Sequence, residues 1–233
     1  MEQLVKLQEK LAEMIDINNR LQKVETVAGC DVAYEGEKAI ACIVIFDIST
    51  FSSIDVVFHQ EKISFPYIAG FLAFREAPVI INAIAELKRP PDVFIFDGHG
   101  VAHPRKMGLA TCAGILIDQP SIGCAKSILS GSFSEPDFER GSYSLITNEK
   151  EVVGAAVRTK NGVKPVFVSP GHKIGLQQSI EIILKCSTGN FRIPEPLRLA
   201  HILAGKRKRR DYDFLENFSC ISFYSQPITR TDR

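Results

Sequence analysis

Tryptophan is absent from the 233 residues, and neither charge is in excess: 28 lysines and arginines stand against 27 aspartates and glutamates. A near-neutral chain is no strongly basic nucleic-acid module, so a polyanionic partner would have to be met by basic residues gathered on one face. The six cysteines, at positions 30, 42, 112, 124, 186 and 220, include no Cys-x-x-Cys pair. That spacing argues against a zinc site or a stapled secreted scaffold and implies reduced core thiols. No apolar run reaches the roughly 20 residues needed to cross a bilayer. Near the amino terminus, Leu4, Leu7, Leu11, Met14 and Leu21 lie among charged residues in an amphipathic helical pattern, unlike a signal peptide. A cytoplasmic protein without membrane contact is expected. Repeats, low-complexity tracts and long linkers are also missing, so residues 1–233 read as one domain with a basic C-terminal tail over residues 205–233.

Apolar residues make up 45% of the chain and are spread along most of its length, enough for a full core. Residues 24–34, 39–48 and 53–63 are rich in β-branched and aromatic side chains, with turn-prone Glu35-Gly36-Glu37-Lys38 and Ser49-Thr50 between them. This pattern predicts a three-stranded antiparallel meander. Residues 70–87 follow as a helix that Pro78 should kink or restart. The apolar run Val93-Phe94-Ile95-Phe96 reads as a strand buried on both faces between parallel neighbours. A helix over 109–117, a short strand over 121–125, a hairpin of 152–158 with 164–168 across Asn161-Gly162, and helices over 176–186 and 194–204 complete the pattern. The order is that of an α/β protein with a ribonuclease-H-like fold: a mixed central sheet with a three-stranded antiparallel meander, flanked by helices. Fold alone licenses no activity.

Chemistry concentrates in Phe96-Asp97-Gly98-His99-Gly100-Val101-Ala102-His103-Pro104-Arg105. Asp97 ends a buried strand and so places a carboxylate at the carboxyl edge of the sheet, where α/β proteins bind ligands. Aspartate before glycine is also a common turn, and the functional reading is preferred because two further carboxylates are similarly placed. Asp31 lies inside an apolar strand, where an unpaired charge would cost several kcal/mol, as roughly estimated for buried ions. Glu76 sits on a mostly apolar helix, where a salt bridge with Arg75 or a solvated face would equally account for it. Together the three supply hard oxygen ligands suited to magnesium or manganese. His103, Arg105, Lys126 and His172 stand beside glycine-rich turns and are candidates for phosphate contact, though a backbone-bonded histidine or solvated lysine is the plainer reading of His103 or Lys126 taken singly. His201, among helical apolar residues, reads first as a core histidine.

Five segments in order resemble the motifs of the endonuclease V family: Gly29-Cys30-Asp31-Val32-Ala33-Tyr34, Pro66-Tyr67-Ile68-Ala69-Gly70-Phe71-Leu72-Ala73-Phe74-Arg75-Glu76, the Asp97 to Arg105 loop, Gly123-Cys124-Ala125-Lys126-Ser127, and Arg192-Ile193-Pro194-Glu195-Pro196-Leu197-Arg198-Leu199-Ala200-His201. The resemblance implies magnesium-dependent hydrolysis, with manganese able to substitute, of the second phosphodiester bond 3′ to inosine, leaving 3′-hydroxyl and 5′-phosphate ends. It implies DNA containing deoxyinosine as partner, in DNA repair. Asp31, Glu76 and Asp97 take metal-binding positions, His201 a position near the metals that revises its core reading, and Lys126 one near the scissile phosphate. Tyr67, within the wedge Pro66, Tyr67, Ile68 and Ala69, would fill the gap left by a flipped base. Gly70, Leu72, Gly98 and Gly100 would line the base pocket, with His103 and Arg105 in the same loop. Ala69 replaces a proline usual in the family, which puts the stiffness of the wedge in question. The basic run Lys206-Arg207-Lys208-Arg209-Arg210 falls outside the motifs.

The chemistry together with the resemblance favours one metal on Asp31 and Asp97 and a second on Glu76 with Asp31, on either side of the phosphate, while the sequence leaves a single metal equally open. Two alternatives remain at this level: an inosine-specific endoribonuclease acting on single-stranded RNA, and a non-catalytic nucleic-acid binding module of the same fold.

Overall fold

The computed structural model describes residues 1–18 and 21–208. Its elements run α1 (Glu2–Ala12), β1 (Thr26–Glu35), β2 (Lys38–Asp47), β3 (Ser52–Lys62), α2 (Leu72–Ala85), β4 (Val93–Phe96), α3 (Leu109–Ile117), β5 (Ser121–Ala125), β6 (Tyr143–Asn148), β7 (Glu151–Val157), β8 (Val166–His172), α4 (Leu176–Lys185) and α5 (Glu195–Lys208). The strands form one sheet in the order β3-β2-β1-β4-β5-β8-β7-β6. The meander is antiparallel, β4 lies parallel between β1 and β5, and β8, β7 and β6 continue antiparallel. This is the ribonuclease-H-like arrangement the pattern predicts.

Alternation along the central strands divides the core into two layers. Val27, Val93, Ile95 and Ile122 face a layer built with α4 and α5, while Ala28, Cys30, Phe94 and Phe96 face α2 and α3. Burying each large apolar side chain contributes about 1.5–3 kcal/mol, so β4, apolar on both faces, holds the two layers together. Cys30, Cys42, Cys112, Cys124 and Cys186 are buried free thiols, as expected; Cys220 lies outside the described residues. Among the described residues no helix is long and apolar enough to cross a membrane.

The structure departs from expectation in four places. α2 runs through Pro78 as one helix instead of restarting, with the proline on its exposed side. β8 extends through Pro170 and Gly171 to His172, because a bulge between Ser121 and Ile122 absorbs the residue that would break the register. The hairpin of β7 with β8 is present, but β7 pairs over more of its length with β6, which the sequence reading passed over. In α1 Leu11 packs against the core as the pattern predicts, but Leu7, and Met14 just beyond the helix, are exposed and the fully buried residue is Gln8. The basic residues Lys206, Arg207 and Lys208 belong to the last turn of α5, and the rest of the run lies outside the described residues.

Candidate metal centre and the loop beside it

Cys30 pairs with Phe96 across the parallel strands β1 and β4, so the next residues, Asp31 and Asp97, are neighbours at the carboxyl edge. The Asp97 N–H donates to the Cys30 carbonyl at 3.1 Å. Alternation turns both carboxylates toward the α5 layer. α5 reaches them because Gly29 has no side chain: a Cβ there would stand 2.2 Å from the Pro196 backbone. At that closeness one turn and a half of helix brings His201 over the edge, and its Nδ1–H donates to Asp31 Oδ2 at 2.8 Å.

Asp31, Asp97 and His201 each offer a ligand atom, all within 4.8 Å of one another. Two carboxylates and an imidazole suit a divalent cation, with the carboxylates favouring a hard one. Lys126, just beyond β5, meets Asp97 Oδ2 at 2.5 Å. Burial pushes the Asp97 carboxyl above its ordinary pKa, and the Lys126 ammonium opposes that rise. The hydrogen bond to Asp31 raises the pKa of His201, against a smaller opposing effect of burial. Lys126 is itself positioned from behind: Arg192 donates to its carbonyl at 2.5 Å, and His99 Nε2–H donates to the Ser127 carbonyl at 2.9 Å. Neither role was read from sequence, although both residues lie inside the quoted motifs.

Glu76 comes from α2, on the opposite face, and stands outside the three-residue cluster. Its Oε1 accepts the Tyr34 hydroxyl at 2.7 Å. Burial first, then the charges of Asp31 and Asp97, push its pKa up to about 7, so it approaches the same edge closely enough to feel both aspartates. Tyr34 also carries the Arg75 guanidinium over its ring at 4.5 Å, and Arg75 donates to the Phe65 carbonyl at 2.6 Å.

Phe65 begins the loop that carries Pro66, Tyr67, Ile68 and Ala69. The loop closes in a type II turn: Phe71 N–H donates to the Ile68 carbonyl at 2.9 Å, and Gly70 has φ of +78° at the third position. Only glycine takes that conformation at little cost. Ala69 occupies the second position, where proline is favoured. Tyr67 is 71% exposed at the tip, not packed beside Phe65 and Phe71. His103 and Arg105 both donate to the Gly70 carbonyl, at 3.1 and 2.8 Å. Leu72 opens α2 directly after the turn. The glycines expected to line a base pocket serve packing at two places: a Cβ on Gly100 would meet the Pro170 carbonyl at 2.0 Å, and one on Gly98 would meet Leu109 at 3.3 Å. His172 is buried at the other end of β5, paired with Ser121, and takes no part in this site.

A sequence profile of endonuclease V matches residues 9–202. An endonuclease V from Methanothrix thermoacetophila is 51% identical over 208 residues, covering 89% of this chain and 92% of that one. The chain belongs to the endonuclease V family. Among solved structures, the endonuclease V of Bacillus subtilis superposes with a TM-score of 0.85 at 37% identity, covering 92% of this chain and 94% of that one. The endonuclease V of Ciona intestinalis, solved with a 24mer DNA containing an inosine followed by a ribo-adenosine, superposes with a TM-score of 0.78 at 29% identity and covers 91% of this chain and 100% of that one. Membership makes this protein a nuclease.

Proposed function

We propose that this protein cuts nucleic acid at the second phosphodiester bond 3′ to inosine, leaving 3′-hydroxyl and 5′-phosphate ends, with magnesium, or manganese in its place. The observation that carries this reading is the convergence of Asp31, Asp97 and His201 within 4.8 Å, with Lys126 on Asp97. Asp31, Asp97 and Glu76 would hold the divalent cation, which would supply charge neutralisation at the scissile phosphate, with His201 beside it. Lys126 is placed to shift its ammonium from Asp97 to the phosphate as negative charge develops there. His201, with one imidazole nitrogen on Asp31, keeps the other free to give or take a proton on the solvent side. The Ciona relative bound to inosine-containing DNA supports inosine as the lesion. Tyr67 then stacks into the space the inosine vacates, while Gly70, Leu72 and Gly98 border the region that receives the base. DNA repair is the role that follows.

The ribo-adenosine beside inosine in the Ciona complex also keeps inosine-containing RNA as an alternative substrate. One set of assays decides. Matched strands carrying deoxyinosine, inosine in RNA, uracil or no lesion are incubated with Mg²⁺, Mn²⁺ or chelator, and the cut is mapped. Metal-dependent cutting directly after the 3′ neighbour of inosine is expected. Lesion-independent cutting, or binding without turnover, would overturn the reading.

A further inference from the structure

We propose that Gln8 is a positioning residue for substrate recognition, through which helix α1 sets the height of the loop that carries Tyr67. The inference rests on the reading of that loop as the one that meets nucleic acid. Gln8 precedes the first residue of the family match, at 9, and no sequence signal marks it: a glutamine on an amphipathic helix reads as surface.

The structure buries it completely. A buried amide left without partners costs about 1–3 kcal/mol per group, so its bonds matter. Its Nε2 donates to the Gly70 carbonyl at 3.2 Å and to the Met107 carbonyl at 3.5 Å, and its Oε1 accepts Arg105 Nε–H at 2.5 Å. Gly70 O thereby receives three donors: Gln8, Arg105 at 2.8 Å and His103 at 3.1 Å. His103 Nδ1 accepts the Arg105 backbone N–H at 3.2 Å, which leaves its proton on Nε2 and makes the ring a neutral, fixed donor. Gln8 is the member that joins the others, because it accepts from Arg105 Nε–H while its own Nε2 donates to the Gly70 carbonyl that Arg105 Nη2 also reaches.

Gly70 is the third residue of the type II turn, so fixing its carbonyl fixes the peptide plane on which the turn stands. The far end of the loop is held independently, at Phe65 by Arg75. The hydrogen bonds of Gln8, on α1, run to Gly70, Met107 and Arg105 and not to Asp31, Asp97 or His201, so its loss should act on recognition and leave the chemical step alone.

The full chain with Gln8→Leu tests this, and Gln8→Glu is the second variant, since it keeps the acceptor for Arg105 but offers Gly70 no donor. The chain has no tryptophan, so Tyr67→Trp installs a single fluorophore at the loop tip. Both Gln8 variants are expected to raise the half-saturating concentration of an inosine strand about tenfold, as loss of a preordered loop does, while the maximal single-turnover rate changes less than about twofold. In the Tyr67→Trp background the free protein should show faster anisotropy decay. A lower maximal rate at unchanged half-saturation, or anisotropy equal to that of the parent, would overturn the proposal; so would a fall in melting temperature with both readouts unmoved. If the parent shows no preference for inosine, the functional reading fails, and the anisotropy alone decides whether Gln8 fixes the loop.

Discussion

The carboxylate edge and the Tyr67 loop lie close together but are held in place by different means. Asp31 and Asp97 are set by the strand ladder, through the pairing of Cys30 with Phe96, and no side chain needs to hold their backbones. Tyr67 sits between two anchored carbonyls, Phe65 and Gly70, each gripped by side chains from elsewhere in the chain. A ladder-fixed residue keeps its place when neighbours change, whereas a residue fixed by side-chain clamps is adjusted by every substitution in the clamp. On the proposed reading, chemistry falls to the rigid region and recognition to the adjustable one.

The comparison breaks most visibly at the carboxylates. Asp97→Ala or Asp31→Ala is expected to reduce cutting about a thousandfold or more, while binding of inosine strands persists. Near-normal metal-dependent turnover by either variant would remove the edge from the chemistry. Lys126→Ala should lower single-turnover rate about a hundredfold with affinity little changed, since its ammonium serves the developing charge. Weakened binding at an unchanged rate would make the lysine a ground-state contact instead.

On the clamp side, pH supplies the probe. Burial first, then the Arg105 charge, push the His103 pKa from the ordinary 6.5 down to about 4. Between these values the unfolded chain binds more protons than the folded one, so stability falls as pH drops through this window and is fully present above it. The loss is at most about 3 kcal/mol. Melting curves from neutrality to pH 4 should show it in the parent and not in His103→Gln, and parallel curves would show that the ring is not held neutral.

Smaller effects test the loop itself. Tyr67→Ala should slow duplex cleavage about tenfold relative to single strands, because flipping a base costs a few kcal/mol only where it is stacked. The exposed ring carries little stability, so the melting temperature should hold; equal losses on both substrates would refute a wedge. Ala69→Pro should stabilise the chain by about 0.4–1 kcal/mol, since the second position of a type II turn already suits proline. A destabilised variant would show that the turn differs from this description.

Ladder-fixed features were the more legible in sequence. α3 and β5 fall on the expected residues because an apolar run bounded by Gly108 and by Pro120 leaves little choice of period or limit. Asp31, Asp97, Lys126 and His201 were named from strand ends and motif order, and the structure brings them together. β6 was missed because its turn to β7 carries Glu149 at φ of +56°, a conformation that glycine or asparagine would have signalled. Gln8 and the bonds of His103 and Arg105 to Gly70 were illegible for a different reason: side-chain clamps join residues 62 and 97 positions apart, and no local pattern records such a pairing. At Gly100 a glycine marks a close approach, and the neighbour the structure puts there is the Pro170 carbonyl, which no local pattern announces.

The close approach of α5 at Gly29 sets a schedule as well as a distance. His201 and Asp31 are 170 residues apart, and they meet only once α5 has settled against that glycine. At synthesis rates of about 5–20 residues per second, a nascent chain displays its first carboxylate for roughly 10–30 s before its histidine has been made. An unfinished chain carries the acidic edge without the helix that completes it, so on the proposed reading the site is assembled only with the last described element to be translated.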